Sequence, residues 1–550
     1  MRRKSVNMLS LLAAMSLLLA ACNNSTGGVP RNAAVVNVVA NTNLTAWLQG
    51  AVDQFNKAGV KTASGKQAYA QVSFVEAGQA AATMAGGQNL PTLWIPDDES
   101  WAGVLASKGQ TSFQANCQSV AQSPLVIAMW RPIAEALGWP GRSLGWLDIG
   151  SLAADPSSWS YYTGNKYGPT LRVGHAHPGL SGSGIETLLA VVHAARSKAT
   201  AVTVDDVKDP IVQASVAAFE GTVATFSQST DKLGQTLKDR GIGYLDAAVV
   251  YESTVVTYGG GGSDGLVAIY PFEGTFMATN PACINGSADA DAQDAARLFR
   301  DFLLKPESQQ AALANGLRPV NSAVSIGAPL DAAHGVDPAQ PKIIFNPPSA
   351  DTVFAANQLW LSARKAVNLV MLLDTSGSMR GSKIDSVRDA AVQFVKQLGN
   401  DDYLTLITFA SNTNVLIEHR KVSEVRDEAV QSIQAINANG NTALYDTIGQ
   451  AAQIIQRTNS SQTSNAMVVL TDGQDTSSDK FSFGDPLISA AAANNTIVFT
   501  IAYGADADKD VLTQLASKAQ GNFYLGNEAN IADIYQEMSA AFGGSVGIGR

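Results

Sequence analysis

The stretch VMLLDTSGSMRGSKID, residues 370–385, decides how the last third of this chain folds. It closes the longer run KAVNLVMLLD, which carries no polar alternation and therefore reads as a strand buried on both faces, as in a parallel sheet covered by helices. Such a strand ends abruptly in Asp374, Thr375, Ser376, Gly377 and Ser378, just before a helix expected to start near Ser382 or Ile384. One reading of these polar residues is a helix cap. The other is a site, because ligand groups in open α/β sheets gather at the carboxyl ends of the strands. Two further segments bear on the choice. Asp472 in VVLTDGQD follows a second apolar strand, and Thr442 in ANGNTALYD lies on a glycine-containing loop ahead of a helix. Five oxygen side chains, Asp374, Ser376, Ser378, Thr442 and Asp472, can thus converge from three segments. Carboxylates and hydroxyls without Cys or His suit a hard divalent cation, Mg²⁺ first, with Mn²⁺ or Ca²⁺ as alternatives.

Working outward, the strand pattern continues in DYLTLITFA, NAMVVLTDG and NTIVFTIAYG, interleaved with helical stretches such as IDSVRDAAVQFVKQLG and IADIYQEMSAAF. Residues 364–550 form one complete α/β unit by this reading. Residues 325–363, rich in Pro, Ala and Asp, read as a connector. Upstream, AVVNVVA, AQVSFVEA, PTLWIP, PLVIAMW, DAAVVYES and LVAIYPFEGTFMAT read as buried strands. LTAWLQGAVDQFNKAG reads as a helix closed by Gly59. This alternation predicts parallel sheets flanked by helices over residues 34–324.

The chain has 550 residues, 46% apolar and 15% charged, with a formal net charge of -10. That length requires several cores, and the acidic balance gives no positive field for a nucleic acid backbone. Arg2, Arg3 and Lys4 precede an apolar stretch from Met8 to Ala20 that ends in Leu19-Ala20-Ala21-Cys22. The stretch is short for a bilayer span. It resembles a bacterial lipoprotein signal, which implies cleavage after residue 21, lipid on Cys22 and a tether over residues 22–33. The expected location is the extracytoplasmic face of the cell membrane, held by the lipid alone. Two cysteines remain, Cys117 and Cys283, and the residues alone leave a disulfide and two buried thiols equally open.

Polar groups recur at the strand ends of the first region. They include Asn41, Thr42 and Asn43 after one strand, Asp97 and Asp98 after another, Ser123 before PLVIAMW, and Tyr251-Glu252 after DAAVV. Ser181 and Ser183 in HPGLSGSGIETLLA precede a helix, whose N-terminal N–H groups attract polar ligands. Ile185 stands where a phosphate-binding loop needs Lys, so nucleotide hydrolysis is not supported. His175 and His177 lack a carboxylate or Cys cluster for zinc, and GGGGSDG reads as a surface loop. No segment combines a nucleophile with a base, and no His or Glu stands within the three metal-motif segments as a general base, so the chain does not read as an enzyme.

Two family resemblances rest on these residues. DTSGS, GNT and TDG are the three parts of the metal-ion-dependent adhesion site, so residues 366 to about 543 resemble a von Willebrand factor type A domain. The resemblance implies a doubly wound, Rossmann-like fold. It implies that Ser376, Ser378 and Thr442 give hydroxyl oxygens to the metal, with Asp374 and Asp472 acting directly or through water, and that a partner protein's Glu or Asp completes the shell. The sequence departs in having Asn441 where a second glycine is common. SPLVIAM, HPGLSGSGIETLLA, DAAVVYES and YPFEGTFMATNP resemble the two-lobed (type II) bacterial extracellular solute-binding proteins related to molybdate and sulfate binders. That implies lobe I over residues 34–122 and 275–324 and lobe II over 123–274. Between them would lie a cleft lined by Thr42, Asn43, Ser123, Ser181, Ser183, Tyr251 and Glu252, its acidic rim disfavouring a simple oxyanion. It also favours a disulfide between Cys117 and Cys283, which flank the two crossing segments. The expected function is a membrane-anchored binding protein with a metal-dependent protein site beside a solute-binding cleft. The alternative is the substrate receptor of an ABC transporter with an accessory docking domain.

Overall fold

The computed structural model describes residues 28–544 and 547–549, except Asn89, Asn116 and Ser461. The targeting segment and Cys22 lie outside the described residues. Among the described residues no helix is long and apolar enough to cross a membrane.

Three sheets organise the chain. The first runs in the order Ala68–Phe74, Ala34–Ala40, Leu93–Ile95, Pro281–Ile284, Cys117–Ser119. Ala34–Ala40 pairs in parallel on both sides, and the helix Thr45–Ala58 that follows ends at Gly59 with φ 61°, a left-handed cap that favours glycine. Pro281–Ile284 runs antiparallel to both neighbours. It places Cys283 opposite Cys117, and the two are joined in a disulfide with a Cα–Cα distance of 4.0 Å.

The second sheet runs Met277–Ala278, Ser123–Trp130, Ala247–Tyr251, Val173–Ala176, Val223–Ser227, with Leu266–Ile269 also on Ser123–Trp130. An all-parallel sheet was the expectation, yet Ser123–Trp130 is antiparallel to Ala247–Tyr251 and Leu266–Ile269. The reason is the crossing point. The chain enters this lobe at the cleft, so its first strand must lead away from the cleft, whereas Ala247–Tyr251 leads toward it. The return falls between Ala278 and Pro281, a few residues later than residue 275, because Met277–Ala278 still pairs with Ser123 and Pro124.

Within 325–363, residues Ala350–Ala363 form a helix with Val353, Ala356 and Trp360 buried in an apolar core that takes in the second lobe and residues of the first such as Trp101. Trp360 packs edge-on against His177 and Phe226 and donates to Glu220 at 3.2 Å. The H-x-H pair is thereby absorbed into packing: His175 meets Glu220 at 3.1 Å, and burial pushes the His177 imidazole down to about 3.

The third sheet runs Thr413–Lys421, Tyr403–Phe409, Ala366–Asp374, Thr463–Thr471, Ile497–Tyr503, Phe523–Gly526, all parallel except the first. Ala366–Asp374 is central and its two faces feed different cores. Leu369, Met371 and Leu373 meet the helices Ser382–Gln397, Val422–Gln434 and Ile531–Ala541, whereas Val370 and Leu372 meet Leu444–Thr458 and Lys509–Lys518. Two buried faces leave no polar alternate positions, which is why the strand reads as one apolar run. The unit also touches the second lobe. Lys232 Nζ pairs with Glu537 Oε2 at 2.5 Å, and the His177 ring nitrogen Nε2 lies 2.8 Å from the Gly544 carbonyl.

Candidate metal centre and interlobe cleft

In the third sheet, successive strands are laid outward from Ala366–Asp374 on one side, then from Thr463–Thr471 on the other. The crevice outside a parallel sheet opens where the order switches, which is between these two strands. Asp374 ends one and Asp472 follows the other.

Asp374 is fully buried. Its Oδ1 accepts from the Ser376 N–H at 2.7 Å and its Oδ2 from the Thr471 hydroxyl at 2.5 Å. Ser376 Oγ and Ser378 Oγ are 3.0 Å apart, and Ser378 Oγ donates to Asp472 Oδ1 at 2.6 Å. Thr442 joins them through its loop. Gly377 N–H donates to Gly440 O at 2.9 Å and Asn439 N–H to Thr375 O at 2.8 Å, so the two loops are zipped together. A Cβ placed on Gly473 would lie 3.7 Å from Thr442 Oγ1 and 4.0 Å from Ser378 Oγ, so Gly473 keeps the space beside both hydroxyls open. All five sequence-predicted residues therefore border one spot. Asn441 has no positive φ and its N–H is held by Ser411 Oγ at 2.9 Å, so Gly440, at φ 90°, is the one residue of Gly440-Asn441-Thr442 that needs to be glycine.

The donor set fits a hard dication. Burial pushes the Asp374 carboxyl up, the mark of an anionic group lacking a full countercharge. One cation is already at hand: Lys383 Nζ lies 2.5 Å from Asp472 Oδ2. Lys383 sits in the first turn of Ser382–Gln397, where the helix dipole disfavours positive charge, so its pairing there reflects the pull of the site. Lys383 was not legible from motifs, and Thr471, though part of TDG, was not read as the partner of Asp374. Asp446 caps the neighbouring loop, accepting from the N–H groups of Asp479, Lys480 and Phe481 at 3.2, 3.0 and 2.8 Å.

In the first region the lobes meet closed, with Gly78 N–H from lobe I donating to Leu180 O of lobe II at 2.8 Å. Thr42 donates to Glu76 Oε1, and Asn43 Nδ2 donates to Asn280 Oδ1 at 3.1 Å. Ser181 and Ser183 are buried, their hydroxyls 2.8 Å apart at the start of the helix Gly182–Arg196. Tyr251 reaches across to Asp97 Oδ2 at 2.8 Å. Two expected cleft residues are engaged elsewhere. Glu252 is clamped by Arg318 through Nε and Nη2, both at 2.7 Å, and by the Tyr270 hydroxyl, so both its oxygens are engaged within the fold. Ser123 accepts from the Ser253 N–H at 3.0 Å, serving the helix Glu252–Tyr258. Sequence reading missed Glu76 and Glu186; the only trace of the latter is a lone carboxylate in the apolar run IETLLAVV.

Two α/β lobes joined by a double crossing, followed by a doubly wound sheet with its oxygen-rich rim at the switch point, define a two-module binding architecture. Matches to known families agree. The sequence model of the bacterial extracellular solute-binding proteins covers residues 36–318, more than half of the chain, and this chain belongs to that family. A von Willebrand factor type A domain occupies residues 368–537. Among curated proteins, the chain is 27% identical over 179 residues to an uncharacterized protein of Synechocystis, 32% of this chain and 41% of the relative. It is 26% identical over 197 residues to inter-alpha-trypsin inhibitor heavy chain H4 of Sus scrofa, 34% of this chain and 21% of the relative. The chain thus spans less than half the length of either relative. Among solved structures, the sulfate-binding protein SubI of Mycobacterium tuberculosis aligns at 20% identity and TM-score 0.36, covering 52% of this chain and 88% of SubI. A von Willebrand factor type A protein of Catenulispora acidiphila aligns at 21% identity and TM-score 0.29, covering 32% and 43%.

Proposed function

We propose that this chain is a lipid-anchored extracytoplasmic binding protein that captures a partner protein through a divalent cation and carries a solute cleft on the same tether. The observation that supports it best is the unbroken contact from Asp374 through Ser376 and Ser378 to Asp472, with Thr442 alongside, at a sheet switch point. Ser376, Ser378 and Thr442 would hold the cation by hydroxyl oxygens, and Asp374 and Asp472 would balance its charge. The cation, Mg²⁺ by ligand hardness, would supply a Lewis-acidic position for one carboxylate oxygen from a partner's Glu or Asp. Asp374 orients Ser376 by accepting its N–H, Thr471 fixes Asp374, and Lys383 neutralises Asp472 when no metal is bound. Both matched domains are of binding kinds, so the reading is binding, not turnover.

Capture from solubilised membranes tests it. Intact protein with Mg²⁺ should retain a partner that is lost in EDTA and lost with Asp374→Ala. A partner list that ignores both changes would end the proposal. The second reading, a transporter's substrate receptor with a docking domain, is supported by the two lobes closing on one another, and would show as capture of a permease independent of metal.

A further inference from the structure

Three carboxyl groups that the sequence did not bring together meet in the seam between the lobes. Glu76 and Asp97 come from lobe I, and Glu186 from the helix Gly182–Arg196 of lobe II. All three are at least 96% buried, with relative exposures of 4, 0 and 2%. Tyr251 stands between two of them, its hydroxyl 2.8 Å from Asp97 Oδ2 and 3.3 Å from Glu186 Oε2. A phenol has one proton to give, so satisfying Asp97 leaves Glu186 in need of a proton or a cation of its own. The remaining oxygens, Asp97 Oδ1 and Glu186 Oε1, are buried and have no hydrogen-bond partner among the described residues. The same holds for Asn43 Oδ1. Asn43 also lines a small groove between the lobes with Trp47, Asp231, Thr254, Tyr258 and Asn315.

Asp97 Oδ1, Glu186 Oε1 and Asn43 Oδ1 are all acceptors, against one orphaned donor on the same loop, Asn41 Nδ2. The groups acting most strongly on the three carboxyls are hydroxyls, their own backbone and further carboxylates, Asp98 and Asp231 among them, with no Lys, Arg or His. Burial and mutual repulsion push Glu76 up to about 8 and Asp97 up to about 6, and Glu186 well above the ordinary carboxylate range. Buried charges are tolerated when paired, and lobe closure is what brings these like charges together. A ligand that delivers positive charge therefore favours the closed form directly. Hydroxyls separate the carboxyls: Tyr251 lies between Asp97 and Glu186, and Thr42 and Ser181 lie on Glu76. That spacing suits charge spread along a molecule over a point ion. Asp231, hydrogen-bonded by Tyr258 at 2.6 Å, continues the acidic line into the groove.

We infer that the cleft takes a small organic cation with more than one protonated amine, its nitrogens shared among Glu186, Asp97 and Glu76 with the chain running toward Asp231, rather than the oxyanions bound by relatives of this fold. The inference rests on the cleft being a solute site. Thermal melting of the full mature protein in EDTA, which silences the metal centre, tests it with 1,4-diaminobutane and spermidine against sulfate, molybdate and a panel of neutral sugars and amino acids. The expected result is a saturable rise in Tm with the amines alone, lost in Glu186→Gln and in Asp97→Asn. If either variant melts non-cooperatively, calorimetric titration of the unaltered protein with 1,4-diaminobutane decides instead, one equivalent being expected. A Tm rise with sulfate, molybdate or a neutral solute, and none with amines, would overturn the cation inference while leaving the solute cleft standing. No rise and no heat with any of them would overturn both. An amine response that survives both substitutions would also overturn it.

Discussion

Replacing Lys383 separates a metal site from a mere cluster of capping residues. Its ammonium lies 2.5 Å from Asp472 Oδ2, the aspartate side chain is fully buried and the lysine side chain 30% exposed. A dication drawn to Asp472 competes with this ammonium for its charge. An exposed ion pair contributes at most about 1 kcal/mol, and hydrogen bonds to charged groups about 1.5–3 kcal/mol. The partial exposure of Lys383 argues for the lower part of that range, about 1–1.5 kcal/mol, which is about five- to tenfold in an equilibrium constant. Lys383→Met should therefore tighten Mg²⁺ binding about five- to tenfold, as read by isothermal titration calorimetry, while Lys383→Arg, which keeps the charge, should not. Without metal the variant leaves Asp472 buried and unpaired, so its Tm in EDTA should fall and be regained on adding Mg²⁺. Unchanged or weaker Mg²⁺ binding would refute the competition argument and show that Lys383 serves only to hold Asp472 in place.

Three other expectations concern stability. The Glu76 carboxyl, held up at about 8 by burial and by Asp97 and Asp231, with the Ser181 and Thr42 hydroxyls opposing, titrates near 4.3 in the unfolded chain. The folded state thus binds the extra proton over that interval, so this stabilisation is complete below about pH 4 and drains away as pH rises toward 8. Glu76→Gln should flatten the fall of Tm between pH 5 and 8, and an unaltered slope would count against the buried assignment. The Cys117–Cys283 bond closes a loop with sequence separation 166, for which chain entropy gives about 5 kcal/mol as a ceiling. Cys283→Ser should accordingly lower the melting transition of the first two lobes and leave that of the third unit in place. Asp402 is buried and accepts from both Arg364 Nη atoms at 3.0 Å, from Val367 N at 2.9 Å and from Gly399 N at 2.7 Å. Asp402→Ala strands the Arg364 charge and should cost about 3–5 kcal/mol in denaturant unfolding of the third unit, whereas a loss below about 1 kcal/mol would show that the pair is dispensable.

What could be read from sequence follows the range over which the physics acts. The candidate metal centre could be proposed from sequence because each of its parts is local: a strand end, a loop before a helix, a strand end again. The pairings of Lys383 with Asp472 and of Thr471 with Asp374 could not, since they join residues 89 and 97 apart and only folding brings them together. Central strands such as Ala366–Asp374 showed themselves by continuous apolarity, but Cys117–Ser119 and Pro281–Ile284 are too short and mixed to do so. The direction of Ser123–Trp130 escaped because parallel and antiparallel buried strands share one composition, and only the site of chain entry separates them. Glu252 looked like a cleft residue by its place after a strand, yet Arg318, 66 residues away, claims it. Glu76 and Glu186 were hidden for the converse reason: both lie within quoted stretches, AQVSFVEA and HPGLSGSGIETLLA, but carry no signal of their own there, and their chemistry arises when two lobes close.

The central claim is that Asp374, Ser376, Ser378, Thr442 and Asp472 hold one divalent cation. Titration of the mature protein with Mn²⁺, followed by electron paramagnetic resonance of the free ion, addresses it most directly. The account predicts one saturable site per chain, displaced by Mg²⁺ and abolished by Asp374→Ala in a protein whose circular dichroism is unchanged. Saturable Mn²⁺ binding that persists in folded Asp374→Ala, or none in the unaltered protein, would contradict it.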